Sequence, residues 1–358
     1  MEYTNKMLLK GNEAVIYGAL LAGCDSYFGY PITPASEVAH TAAALFPRLG
    51  RVFLQAESEI GAINMVLGAA STGRRTMTAS SGLGISLKQE GVSYLAGCNL
   101  PAVIVDITRG GPGLGNIGPE QSDYNQLTKG GGHGSYNCIV LAPNSVQEMC
   151  DFTIIAFDLA DKYRIPVYVV ADGVIGQMME SLTLPEPVEN IRELPEWALD
   201  PECNSSNMIT SIFLKHDNLE KLNIELQNKY KLIRMNEQRA EEYMMEDAEV
   251  IYVAYGICGR LARSAVDILR EQGIKAGLIR PITLFPFPVD YIRNAKAGAK
   301  LYISLELSCG QMIDDVKLAV NCEVPVALIN RMGGNIPTID ELVDRSLAAI
   351  DEMTEEGK

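Results

Sequence analysis

Histidine is scarce in this sequence: His40, His133 and His216 are the only three in 358 residues, and tryptophan occurs once. The eight cysteines (Cys24, Cys98, Cys138, Cys150, Cys203, Cys258, Cys309 and Cys322) stand singly, and no two have CxxC spacing. Without such clusters, a zinc site or an iron–sulfur cluster held by this chain is not expected, and buried, reduced thiols are. Positive charge is also short. The 30 Lys+Arg against 45 Asp+Glu give a net charge of -15, which argues against nonspecific nucleic-acid binding. There is no GxxxxGK[ST] phosphate loop, no continuous transmembrane run and no apolar signal-peptide core in "MEYTNKMLLKGNEAV". A cytoplasmic location is the expectation.

What is present is an alternation of apolar strands and helical patterns over residues 11–180. Asn12 is expected to cap a first helix carrying Ala14, Val15, Ala19 and Ala22, with Gly23 at its end. Strands are expected at "SYFGY", "RVFLQAE", "RTMTAS", "PAVIVDI", "CIVLAP" and "PVYVVAD", and helices at "EIGAINMVLGAAS" and "SVQEMCDFTIIAFDLADKYR". Near-continuous apolar strands between helices predict a mostly parallel sheet covered on both faces. From about 185 the pattern breaks into "LTLPEPVENIRELPEWALDPECNSSN", which suits a surface crossing, and then a charged segment read as a long linker helix. A second, smaller α/β unit starts near 248, and Leu261, Ala262, Ala265, Val266 and Leu269 share one face of its first helix.

Several stretches carry possible chemistry. Gly113, Gly115 and Gly118 in "GPGLGNIG" match GxGxxG, but the following strand, "CIVLAP", ends in Pro143 and Asn144 with no acid for a ribose. A loop facing the active site is the better reading. In "YPITP", Thr33 and Pro34 have the residue types of a helix N-cap and first turn, and that helix start would equally suit an anion. Glu57 and Glu59 lie where a strand turns into a helix, and Gly61 and Ala62 leave room for close approach. An acid there fits the helix dipole, or a proton-exchanging role in an apolar site. Arg109 ends the strand "PAVIVDIT", where it suits a carboxylate or phosphate ligand, or an ion pair with Asp106 or a loop acid.

In order along the chain, "GYPITPAS", "SEIGAINMVLGAASTGRRTMTASSGLG", "VDITRGGPG" and "AGLIRPITLFPFP" resemble the α subunit of 2-oxoacid:ferredoxin oxidoreductases. The loop "RGGPGLGNIGPEQSDYNQLTKGGGHGSYN" is most similar to the branched-chain (3-methyl-2-oxobutanoate) members. The resemblance implies a thiamine diphosphate pyrimidine-binding domain over residues 1–190, a linker with a long helix over 191–247, and a transketolase C-terminal-like domain over 248–358. It implies oxidative decarboxylation of a 2-oxoacid, with the acyl group passed to coenzyme A and electrons to ferredoxin. A β subunit would hold Mg²⁺-diphosphate and an iron–sulfur cluster, alongside γ or ferredoxin-like δ subunits. Glu59, in its "SE-x-GA" setting, matches the family's cofactor-activating glutamate, whose carboxyl bonds the pyrimidine ring and promotes loss of the thiazolium C2 proton. Thr33 and Arg109 match the residues that grip the substrate carboxylate, while Thr78 to Gly82, with Ser80 and Ser81, would line the cofactor by close backbone approach. Glu57 reads as structural, and Glu306 and Gln311 in "SLELSCGQM" carry no assigned role. Alternatives are a pyruvate or 2-oxoglutarate enzyme, another split thiamine-dependent subunit, or a non-catalytic scaffold.

Overall fold

The computed structural model describes residues 6–185, 193–199 and 207–356. Strand β1 (Lys6–Lys10) runs into helix α1 (Gly11–Leu21), followed by β2 (Ser26–Gly29), α2 (Ser36–Leu45), β3 (Val52–Gln55), α3 (Glu59–Ser71), β4 (Thr76–Ser80), α4 (Leu83–Gly97) and β5 (Ala102–Thr108). Next come α5 (Tyr124–Thr128), β6 (Ile139–Leu141), α6 (Val146–Tyr163), β7 (Pro166–Asp172), α7 (Gly173–Gln177) and β8 (Met179–Thr183), which pairs antiparallel with β1. Strands β4, β5 and β7 are buried at every residue, as the unbroken apolar runs require. Helices α3 and α4 pack together, while α1 packs against α2 and α6. The pairing order β6-β7-β5-β4-β2-β3 is parallel throughout. The chain steps from β2 outward to β3, then returns to the other side of β2 for β4. That reversal opens a crevice at the carboxyl ends of the strands.

Asn12 does not cap α1. The helix begins one residue earlier, at Gly11, whose N–H bonds the Met178 carbonyl (3.2 Å), and Asn12 is fully buried inside it. The expected surface crossing falls largely outside the described residues. Its described part, 193–199, lies on the first unit: Leu199 N–H bonds the Ser71 carbonyl (2.9 Å) and the Arg164 guanidinium covers the Trp197 ring at 4.5 Å. Helix α8 (His216–Asn236) is the long helix, but it is no free linker. Leu226, Tyr230 and Ile233 bury against the first unit, and Gln227 Nε2 donates to the Ser135 carbonyl (3.0 Å).

The second unit contains β9 (Ala240–Tyr243), β10 (Val250–Val253), α9 (Gly256–Glu271), β11 (Ala276–Pro281), β12 (Thr283–Phe285), α10 (Val289–Ala295), β13 (Leu301–Glu306), α11 (Met312–Ala319), β14 (Val326–Asn330) and α12 (Ile339–Glu356). Its five-stranded sheet, β14-β13-β10-β11-β9, is parallel except for β9. On α9, Ala262, Ala265, Val266 and Leu269 are buried, the face drawn from the sequence. Two strands depart from a break at 248. β9 precedes it yet belongs to the second sheet, and β12 crosses over to pair antiparallel with β6, making the first sheet seven-stranded. The buried-thiol expectation holds for Cys24, Cys138, Cys150 and Cys258, whereas Cys309 and Cys322 are exposed, on a junction and a turn outside the sheets.

Candidate active site

Glu59 is the first residue of α3, behind Ser58, whose Oγ caps the helix by accepting from Gly61 N–H (3.0 Å). It is 7% exposed, and its carboxylate accepts no hydrogen bond from the described residues. The carboxylate faces Gly84 at the start of α4: a Cβ there would lie 2.7 Å from Glu59 Oε1 and would collide with Ser80 Oγ. Gly91, on the same face of α4, gives Ile63 of α3 the same close approach. Between them Lys88 is completely buried, its Nζ 3.4 Å from the Glu59 carbonyl. Burial pulls the Lys88 ammonium down to about 8, against the opposing pull of the Glu59 charge. The sequence reading missed Lys88, although a lysine four residues after one glycine and three before another, among apolar residues, is a legible signal. The room at Gly61 is filled from within, by the carboxylate of Glu57, which supports a structural role for that residue.

At the end of β4, Thr78, Ser80 and Ser81 are fully buried, and none of their hydroxyl oxygens has a partner among the described residues. Gly82 turns the chain at φ +48°, a left-handed value suited to glycine. Arg109, leaving β5, lies across this turn: a Cβ on Gly82 would stand 3.4 Å from its Cγ and Nε. Its Nη1 donates to the Thr33 carbonyl (2.8 Å), so the two residues expected to grip a carboxylate are joined directly. Asp106 does not form the ion pair with Arg109 weighed from the sequence. Both of its oxygens, like Asp123 Oδ2, are buried without a hydrogen-bond partner among the described residues. Burial, and then the Asp123 charge, push Asp106 well above the carboxylate range, while burial raises Asp123 to about 6 against the pull of Arg109.

Thr33 is not an N-cap. Ala35 N–H bonds the Ile32 carbonyl (3.0 Å), placing Thr33 and Pro34 inside a turn, and α2 starts only at Ser36. Residues distant in sequence hold this turn. The Pro34 carbonyl accepts from Asn12 Nδ2 (2.7 Å) and Gln177 Nε2 (3.1 Å). Glu37 Oε2 accepts from the same two amides (3.0 and 2.8 Å), and Oε1 from Lys10 Nζ (2.9 Å). Burial alone would raise the Glu37 pKa, but the bonds from Lys10, Gln177 and Asn12 hold it down at about 2.

The "GPGLGNIG" segment is no dinucleotide turn, because it opens no helix. Arg109 and Pro119 form a bridge, Gly110 N–H bonds the Gly118 carbonyl (2.9 Å), and Asn116 Nδ2 reaches the Gly333 carbonyl of the second unit (3.0 Å). Further contacts fasten the joint. Gln121 donates to the Tyr255 carbonyl (3.1 Å) and accepts from Leu307 N–H (3.0 Å). Gln311 donates to the Ser122 carbonyl (2.7 Å) and accepts from Asn125 N–H (2.8 Å). Glu306 takes the N–H groups of Gln311, Met312 and Ile313 at the start of α11. Glu306 and Gln311 thus act at the joint between the two units. There a cavity of ≈ 510 Å³ opens beside Arg109, with Leu83, Glu120, Asp123 and Met332 in its wall.

Residues 17–247 match the family model described as pyruvate flavodoxin/ferredoxin oxidoreductase, thiamine diphosphate-binding, and residues 248–342 match pyruvate:ferredoxin oxidoreductase core domain II. The chain is 60% identical over 340 residues to ketoisovalerate oxidoreductase subunit VorB of Methanothermobacter marburgensis, spanning 94% of this chain and 96% of that one. It is 38% identical to 2-oxoglutarate synthase subunit KorA of Methanocaldococcus jannaschii, spanning 93% of this chain and 97% of that one. A solved 2-oxoglutarate:ferredoxin oxidoreductase from Magnetococcus marinus, with 2-oxoglutarate, coenzyme A and succinyl-CoA bound, matches with a TM-score of 0.86 at 28% identity. That match covers 97% of this chain and 66% of the other. A split-gene transketolase shares the fold, with a TM-score of 0.60 at 15% identity.

Proposed function

The chain belongs to the thiamine diphosphate-binding 2-oxoacid:ferredoxin oxidoreductase family, and from that premise we propose that it is the subunit of a branched-chain 2-oxoacid enzyme that holds the pyrimidine end of the cofactor and grips the substrate carboxylate. The observation that carries this reading is the convergence of Thr33, Glu59, Ser80 to Gly82 and Arg109 from the carboxyl ends of the adjacent strands β2, β3, β4 and β5. The 60% identity to a ketoisovalerate oxidoreductase subunit, against 38% to a 2-oxoglutarate synthase subunit, favours 3-methyl-2-oxobutanoate as substrate.

The residues present fit the cofactor. A buried, unbonded carboxylate, three orphaned hydroxyls and a glycine turn that admits close approach form a polar cradle with unused hydrogen-bonding capacity. When bound, thiamine diphosphate supplies the nucleophile and the electron sink for decarboxylation. Glu59 would hold a proton at the pyrimidine ring nitrogen, and Arg109 and the Thr33 turn would orient the carboxylate for departure as CO₂. The acyl group goes to coenzyme A, and two electrons leave singly toward ferredoxin.

In this reading Mg²⁺-diphosphate and the iron–sulfur cluster belong to β and ferredoxin-like partner subunits. No described helix is long and apolar enough to cross a membrane. The complex would work in the cytoplasm, on diffusible substrate and ferredoxin. Co-expression with the partner subunits tests the reading: the complex should reduce a viologen dye from 3-methyl-2-oxobutanoate, coenzyme A and thiamine diphosphate. Dye reduction that does not depend on coenzyme A and thiamine diphosphate, or its absence, would refute it.

A further inference from the structure

The cavity beside Arg109 has an uneven wall. Arg109 is the only lysine or arginine among its described lining residues, while Glu120 and Asp123 both contribute carboxylates. Glu120 is 4% exposed and already spends Oε2 on Gly111 N–H (2.9 Å). Asp123 lines the cavity, and Gln311 fixes its neighbours Ser122 and Asn125 from the second unit. The same wall carries two large apolar side chains. Leu83 and Met332 face open space, at 38% and 47% exposure, and Met332 is held by a sulfur contact with Cys309 (2.9 Å).

A 2-oxoacid whose carboxylate sits on Arg109 has the remainder of this cavity within reach of its side chain. We propose that the cavity selects monocarboxylic 2-oxoacids with an aliphatic side chain: Leu83 and Met332 receive the alkyl group, and Glu120 and Asp123 repel a second carboxylate. A like charge brought against buried acids is repelled, and a missing alkyl contact costs roughly 10- to 200-fold in kcat/KM. The inference rests on the functional reading above and takes it to the residues that set substrate choice.

The test uses the complete complex with its partner subunits. Wild-type enzyme is first assayed on 3-methyl-2-oxobutanoate, pyruvate and 2-oxoglutarate. No turnover on any of the three would overturn the functional reading itself. With turnover established, Met332→Arg and Asp123→Asn should each raise the ratio of kcat/KM for 2-oxoglutarate over 3-methyl-2-oxobutanoate by about tenfold. Leu83→Ala should lower kcat/KM for the branched acid by about tenfold while pyruvate changes less than about threefold. Ratios are insensitive to the fraction of each variant that folds. A shift in the stated direction supports the proposal, and ratios unmoved in all three variants overturn it.

Discussion

Glu59 and Glu306 occupy matching places in the two units, each buried where a parallel strand gives way to a helix, and the protein treats them in opposite ways. Glu306 accepts five hydrogen bonds, from the Ser304 and Ser308 hydroxyls and the N–H groups of Gln311, Met312 and Ile313. Glu59 accepts none from the described residues. The serines follow the same division, since those around Glu306 bond it, whereas Ser80 and Ser81 beside Glu59 have no partner. The carboxyl end of the second sheet is closed by its own side chains, and that of the first is left open. A fully bonded acid is a structural element; an unbonded one carries a desolvation cost that a ligand can relieve.

The largest expected effect comes from the open end. Glu59→Gln should lower turnover of the complex by about 100- to 10,000-fold. Its urea-unfolding free energy should fall by less than about 1.5 kcal/mol, because no internal hydrogen bond is lost and only the charge beside buried Lys88 goes. Near-normal turnover would remove the proton-holding role. Glu306→Gln should show the reverse balance, costing about 3 kcal/mol in the same unfolding measurement by weakening charge-assisted bonds to three helix N–H groups. Equal stability losses in the two variants would dissolve the contrast.

Proton linkage gives the next effect. Asp123 is raised from 3.8 to about 6, so the folded state keeps its proton longer than the unfolded chain, and stability falls as pH rises between those values. The groups acting on it are Asp106 on β5, Glu120, Arg109 and, from the second unit, Tyr255. Asp123→Asn should flatten that decline in thermal melts. Glu37 has the opposite sign. Its pKa is held at about 2 against an ordinary 4.5, so its contribution is complete above 4.5 and is lost as pH falls toward 2. Glu37→Gln should remove that acid limb. The smallest change is expected from Asn12→Ala, about 1 kcal/mol of stability and about a threefold rise in KM for the 2-oxoacid, since Gln177 still bonds the Pro34 carbonyl.

Strands β4, β5 and β7 were legible because burial on both faces demands unbroken apolar runs, and that demand is written locally. Glu59 and Arg109 were legible as charges at strand ends, where an open α/β sheet presents its crevice. Thr33 was legible as a candidate but misread in its geometry. A Thr-Pro pair has the residue types of a helix start, yet the turn is set by Asn12 and Gln177, residues 22 and 143 positions from Pro34. Helix α8 looked like a linker because its composition is charged, although Leu226, Tyr230 and Ile233 form a short buried stripe at helical spacing. The Asp106–Asp123 pair and the joint around Gln311 depend on tertiary meetings that no local pattern announces.

Strand β12 has a consequence for dissecting the protein. A cut between residues 247 and 248, where the two family matches abut, would take away the strand that covers β6. The amino-terminal fragment would then display a row of unpaired backbone groups along β6, a template for intermolecular strand addition and aggregation. The seam of sequence descent is therefore not a seam of folding, and the longer half needs the shorter one's company to remain in solution as a monodisperse species.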